Sequence, residues 1–356
     1  MNRLEKFQNA LSAIGADGAL ISSEVNQLYL SDFHFSDGYV LVTENEAFLI
    51  TDSRYIEAAR GAVKHMTVVL ADGMYDTVKK LVSDNGISTL AIEDDSMSLS
   101  EHKRFSELLP CKLVAGASAA LEDLRAVKDA DEIDRMNEAQ KITDAAFTHI
   151  LDYITPDRTE KDVALELEFY MRKIGADGIA FDTIAVSGTA SSLPHGVPRD
   201  VKLEKGFLTM DFGAKYRGYC SDMTRTVSIG RATDEMKLIY NTVLSAQLKA
   251  LESMTGGMAC RDADSLARDV IREAGFGSNF GHGLGHGVGM LIHEFPRLSP
   301  KASPTTVLTP GYVVTVEPGI YLEGKFGCRI EDMVYIDEDG SVKNFTKSPK
   351  ELIELV

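Results

Sequence analysis

Two aspartates sit in the stretch LTMDFGAKYRGYCSDMTRTV, and the pattern around them commits the chain to a β-hairpin that carries both carboxylates. Leu208, Met210 and Phe212 alternate with Thr209 and Asp211. After a polar, glycine-flanked turn the chain resumes as a second strand-like run, Cys220 to Val227. A turn centred on Tyr216 and Arg217, whether of two residues or four, sets Asp211 opposite Asp222, with Cβ atoms roughly 4.5 to 5.5 Å apart. Like charges at that distance repel unless a proton or a cation lies between them, and hard divalent cations favour such oxygen ligands. The plain alternative is a pair of solvated hairpin aspartates.

A chain of 356 residues is long for one core, and two domains are expected. Hydrophobic residues make up 44% of it without a long apolar run, which fits a soluble globular protein lacking a transmembrane helix. Leu4, Phe7, Leu11 and Ile14 recur at helical spacing near the N-terminus. No apolar signal core accompanies them, so the cytoplasm is the expected compartment. Cys111, Cys220, Cys260 and Cys328 are widely spaced and read as free thiols. A formal charge of −17 argues against nucleic acid or an anionic membrane as partner.

Helical and strand patterns alternate through residues 1–122, the signature of an α/β domain. Residues 123–356 open with a charge-rich helical stretch. A capping-box-like start at Thr159 and Asp162 follows, then further helices and antiparallel hairpins, an α+β pattern. No short repeat is visible.

A second chemical cluster is GHGLGHGVGMLIHEFP, with His282, His286 and His293 among glycines that allow close backbone approach. It is not a phosphate loop. Nor is it a zincin helix, since Arg297 stands where the second histidine would be. A third cluster, YVVTVEPGIYLEGKFGCRIEDMVYID, carries Glu317 and Glu331. A loop centred on Gly324 pairs these two glutamates if Pro318 lies at a strand end. Four carboxylates and one imidazole suit two divalent ions such as manganese, cobalt or zinc, and two ions can activate a water between them.

The motifs D-F-G-x(7)-S-D, G-H-G-x-G-H-x(6)-H-E, V-E-P-G and R-I-E-D occur in the order found in the pita-bread metallopeptidases, the group of methionine aminopeptidase, aminopeptidase P and prolidase, and the chain resembles that group. YLSDFHFSDGYVLV and TDSRYIEAA resemble the N-terminal segments of aminopeptidase P, prolidase and creatinase, and SGTASSLPHGVP resembles a segment bearing an active-site histidine. The resemblance implies a creatinase/prolidase-type N-terminal domain before a pita-bread catalytic domain. It implies a dinuclear metal site held by Asp211, Asp222, His286, Glu317 and Glu331, with manganese the first expectation and cobalt or zinc the others. His286 is favoured over His282 because the family ligand precedes the catalytic histidine by seven residues. In the implied roles, His293 polarises the scissile carbonyl, His195 contacts substrate from the other side, and Glu317 doubles as general base. His282 lines the proline pocket, Arg297 meets a substrate carboxylate, and Tyr321 and Arg329 support the ligands.

The implied activity is hydrolysis of the bond between an N-terminal residue and proline in di- or oligopeptides, by a homodimer, through attack of a metal-bridged hydroxide. A creatinase-like hydrolase without metal and a non-catalytic peptide-binding module are the alternatives on the same fold. The chain departs from the family pattern at Asp32, where glycine is usual, and at Ser191, where asparagine is usual.

Overall fold

The computed structural model describes residues 2–355. Two compact units divide between Arg125 and Ala126, against an expected boundary at 122. In the first unit, six strands lie in the order Thr67–Leu70, Ala47–Thr51, Tyr39–Thr43, Gly18–Ile21, Thr89–Ile92, Lys112–Val114. Antiparallel pairs at the middle give way to parallel ones outward, as an α/β alternation with one hairpin requires. The N-terminal helix Arg3–Ile14 begins at an Asn2–Glu5 capping box and buries Leu4, Phe7 and Leu11 as its spacing predicts. Asp32 ends the helix Glu24–Ser31 at φ 53, a left-handed position that glycine takes without strain and aspartate tolerates better than most residues. That conformation explains the glycine of the family pattern.

The second unit repeats one layout. Helices Ala130–Tyr153 and Glu160–Lys173 pack on the strands Ile184–Ser187, Gly206–Phe212 and Met223–Ile229 through Phe147, Ile150, Leu167, Leu208 and Met210. Helices Asp234–Ser253 and Cys260–Glu273 pack likewise on the strands that follow them, through Tyr240, Val243, Ile271, Val314 and Ile330. In each helix pair the residue that caps the second helix forms an isolated β-bridge to a later segment, Thr159 to Lys202 and Ala259 to Val307. All four cysteines are free, and burial pushes the Cys220 thiol up to about 12.

Between Ile184–Ser187 and Gly206–Phe212 runs a loop that carries His195. Glu160, fully buried, ties it down. Its carboxylate accepts from the Ser187 N–H at 2.7 Å and the Ser187 hydroxyl at 2.8 Å. It also accepts from the Arg199 N–H at 2.9 Å and the guanidinium at 2.6 Å. Ser191 fastens the start of the same loop, donating to the Gly188 carbonyl and accepting from the Gly327 N–H. Burial raises the Glu160 carboxyl, but Arg199 and the N–H groups of Ser187 and Arg199 more than offset this and leave it below its usual range. Glu160→Gln should cost about 2 kcal/mol of unfolding free energy near neutral pH, less than a fully enclosed pair because Arg199 is partly exposed. A depressed folded pKa stabilises above the ordinary carboxylate value of about 4.3 and ceases to do so as pH falls through the lowered one. Urea unfolding at about pH 7 and about pH 3 should therefore show the gap between wild type and variant closing in acid.

Candidate metal centre

Two hairpins build the centre, and both open where they deliver ligands. In the first, Gly206–Phe212 pairs with Met223–Ile229 so that Asp211 faces Thr224, and Ala214–Tyr216 pairs with Tyr219–Cys220. The turn is therefore Arg217–Gly218, its centre one residue later than expected, and the expected direct pairing of Asp211 with Asp222 is corrected. Both turn residues have positive φ, 45 and 84, as a type I′ turn demands, and glycine supplies one of them freely. Asp222 lies in the gap between Tyr219–Cys220 and Met223–Ile229.

The second hairpin keeps the expected register around Gly324. Gly319 faces Arg329, and Val316 faces Asp332. At the step between these pairs the ladder opens, and Glu317 and Glu331 send their N–H groups elsewhere. Glu317 donates to the Leu284 carbonyl at 2.8 Å and Glu331 to the Thr224 carbonyl at 3.1 Å. The second bond stitches one hairpin to the other. Thr224 reinforces it, its hydroxyl donating to Glu331 Oε2 at 2.6 Å.

His286, in strand Gly285–Gly287, completes the cluster. Ligand atoms of Asp222, His286 and Glu331 lie within 4.8 Å of one another. His286 Nε2 stands 3.6 Å from Asp222 Oδ2 and 3.4 Å from Glu317 Oε1. Burial pushes the imidazole down to about 3, so it is neutral. Its Nδ1 faces the Gly287 carbonyl at 3.1 Å, which can only accept, so Nδ1 carries the proton and Nε2 is a lone pair. A lone pair pointing at two carboxylates is an arrangement of acceptors without a donor.

The electrostatics agree. Burial, followed by the charges of Glu331, Asp211 and Glu317, holds the Asp222 carboxyl well above its usual range. Burial and the charges of Glu317 and Asp211 do the same to Glu331. Burial pushes Glu317 up to about 7 against the pull of Arg329. Asp211 accepts from Arg329 Nη2 at 2.6 Å through Oδ2, while its buried Oδ1 has no hydrogen-bond partner among the described residues. One guanidinium, bonded to Asp211, thus stands against the combined charge of four carboxylates. The orphaned Oδ1, the Nε2 lone pair and the excess of negative charge fit divalent cations.

A consequence follows for protein stripped of metal. Carboxyls raised in the folded state favour folding below the ordinary carboxylate pKa and weaken it as pH rises through the raised values, about 7 for Glu317. In chelator, the Tm should fall between about pH 5 and about pH 8. Manganese should restore it, adding about 2.7 kcal/mol of unfolding free energy per site at a hundredfold excess over Kd. A Tm insensitive to both pH and metal would count against the site.

A cavity of about 550 Å³ opens over the cluster. His195, His282, His293, Arg297 and Arg329 line it, with Phe181, Asp182, Ile184 and Ile292, which the sequence did not single out. His293 stands edge-on to His286, ring centroids 4.4 Å apart, and partial desolvation with the nearby Arg297 charge lowers its pKa. His282 is fixed at both nitrogens, Nδ1 to the Gly283 carbonyl at 2.8 Å and Nε2 to the Tyr321 hydroxyl at 3.0 Å. That hydroxyl accepts in turn from Arg329 Nη1 at 2.8 Å. Arg329 also donates to Thr224 at 2.9 Å and to the Pro194 carbonyl at 3.2 Å, beside His195. One buried guanidinium therefore joins Asp211, Thr224, Tyr321 and the His195 loop. His195 and Arg297 are exposed at the cavity wall.

The chain matches metallopeptidase family M24 over residues 134–338 and the Creatinase/Prolidase N-terminal domain over residues 3–127. An uncharacterised peptidase of Bacillus subtilis, YqhT, is 44% identical over 99% of this chain and 100% of its own length. Among solved structures, an Xaa-Pro dipeptidase from Bacillus anthracis superposes with a TM-score of 0.95 at 44% identity, covering 99% of both chains. An X-Pro aminopeptidase from Thermotoga maritima gives 0.91 at 41% identity, covering 97% of this chain and 99% of its own.

Proposed function

Since the chain belongs to metallopeptidase family M24, we propose that it is a dinuclear exopeptidase that cleaves the bond between an N-terminal residue and proline, with Xaa-Pro dipeptides as its main substrates. The observation that carries this is the neutral His286 lone pair among four converging carboxylates. The likeness to the Xaa-Pro dipeptidase of Bacillus anthracis and the X-Pro aminopeptidase of Thermotoga maritima supplies the bond. Asp211, Asp222, His286, Glu317 and Glu331 hold the ions, manganese being favoured by the oxygen-rich donor set. When bound, two such ions supply the charge that activates water and offsets the negative charge developing on the scissile carbonyl.

The remaining steps belong to side chains. Glu317, 3.4 Å from His286 Nε2 at the floor of the cavity, takes one proton from the attacking water and returns it to the prolyl nitrogen as the C–N bond breaks. A prolyl amide has no N–H to be recognised, so binding falls to its ring and its ends. His293 donates to the carbonyl oxygen as it becomes an oxyanion. His195 faces the substrate from the opposite wall, and His282, locked by Tyr321 and Gly283, forms the side of the proline pocket. Arg297 pairs with the free proline carboxylate of a dipeptide. The homodimer rests on the family resemblance and the cytoplasmic setting on the N-terminal sequence pattern; no helix among the described residues is long and apolar enough to cross a membrane.

Rates on an Xaa-Pro dipeptide and on an Xaa-Pro-Xaa tripeptide test the proposal. Cleavage of the dipeptide with little action on the tripeptide supports it. Preference for the tripeptide would move the activity to an aminopeptidase, the activity named for the Thermotoga maritima relative.

A further inference from the structure

Lys128 and Glu294 form an ion pair shut inside the second unit, with Nζ 3.4 Å from Oε2 and side chains 1% and 2% exposed. Burying two charges this completely costs more than most pairs return, and apolar residues of similar volume often hold a fold as well. Neither residue is among those lining the cavity. Their placement gives the pair a different significance.

Glu294 directly follows His293. Its Oε1 accepts from the Leu291 N–H at 3.1 Å, and Gly289 passes so close that a Cβ there would meet Oε2 at 2.3 Å. The carboxylate fills the inside of the turn from Gly289 to His293. Glu294 also pairs with Gly287 across the irregularity that follows His286, so one residue sets the spacing of the two histidines. The turn is fastened to the metal hairpin as well. The Cys220 N–H donates to the Gly289 carbonyl at 2.8 Å, and the Cys220 thiol to the Met290 carbonyl at 3.5 Å. Lys128 is itself fixed: its N–H donates to the Gly311 carbonyl at 2.9 Å and its Nζ reaches the Ala126 carbonyl at 3.4 Å. It stands at the head of helix Ala130–Tyr153, whose Glu132 accepts from the Tyr219 hydroxyl at 2.8 Å.

We propose that the buried Lys128–Glu294 pair is a positioning device for His293, holding the turn from Gly289 to His293 so that the imidazole meets the substrate carbonyl at a fixed angle. This rests on the role given to His293 above. The ammonium holds the carboxylate in the one rotamer that receives the Leu291 N–H, and the turn cannot shift while that bond and the Gly289 contact persist. A displacement of about 1 Å at a group that contacts the reacting carbonyl lowers turnover by on the order of a hundredfold.

The test uses full-length, metal-loaded protein carrying Lys128→Met, or Lys128→Met with Glu294→Gln, each in wild-type and His293→Ala backgrounds. Lys128→Met strands a buried carboxylate and can cost the fold. The double variant removes both charges of the pair and keeps the proposal testable. In that variant kcat on an Xaa-Pro dipeptide is expected to drop about 10- to 100-fold, with KM changed by less than about threefold and metal content unchanged. In the His293→Ala background the same two substitutions should lower kcat by less than about threefold, because the group they position is gone. Amide hydrogen exchange across 289–293 should quicken at least about tenfold. Equal losses in both backgrounds, loss of metal, or unaltered exchange would overturn the proposal. Should wild type cleave no Xaa-Pro bond, the functional reading falls by itself, and exchange in the variants still decides whether the pair holds the turn.

Discussion

Glu331→Ala is expected to strip the protein of metal and to lower kcat/KM by on the order of 10⁴-fold, about 5.5 kcal/mol. The side chain is almost wholly buried and takes its orientation from the Thr224 hydroxyl, so no neighbouring group can swing in to replace it. It is one of the three ligand groups that cluster most tightly, with Asp222 and His286, so its removal should weaken metal binding strongly. The fold should survive, because the contacts that lock residue 331 in place are made by its main chain: its N–H to Thr224, and its carbonyl to Arg225 Nη1 at 2.6 Å. Metal-free variant should even melt above metal-free wild type near neutral pH, since one member of a mutually repelling carboxylate set has gone. Metal analysis, peptidase rates and melting in chelator check these expectations together. Retention of two ions per chain would remove Glu331 from the ligand set.

His293→Ala separates chemistry from metal binding. Loss of about 2 to 3 kcal/mol of transition-state stabilisation is expected, roughly 30- to 150-fold in kcat, with the metal content of wild type. The imidazole packs edge-on against His286, and His286 keeps its tautomer through Gly287 without it. An effect on KM alone would make His293 a binding group. Loss of metal would mean that the ligand histidine has been misassigned.

Much of this centre can be read in the chain because its parts are local. The register of the second hairpin follows from Gly324, whose φ of 71 suits the turn that the flanking strand patterns require. The first hairpin departs from the expected register because the chain turns one residue beyond Tyr216 and Arg217, at Arg217 and Gly218, where both backbones are left-handed. The change of register is an even one, so Asp211 keeps its face of the strand and the carboxylates still converge. What the sequence does not carry is the closure between segments. Thr224 and Arg225 look like ordinary strand residues until the two hairpins are laid together. Phe181 and Ile184 come to the cavity from one short stretch that carries no motif, and Ile292 from an unspecified position inside the histidine motif. Lys128 meets Glu294 across 166 positions of sequence. The doubled layout of the second unit escapes notice because its halves share helix and bridge placement while their residues differ. At Asp32 the departure from the family pattern becomes intelligible only once the left-handed backbone is seen.

The central claim is that a pair of divalent ions held by Asp211, Asp222, His286, Glu317 and Glu331 drives hydrolysis before proline. Its most direct test is a titration of metal-depleted protein with manganese, following cleavage of an Xaa-Pro dipeptide. The account predicts no activity at the start and a rate that rises until about two equivalents are bound. Full activity in the depleted protein, or none at any manganese level, would contradict it.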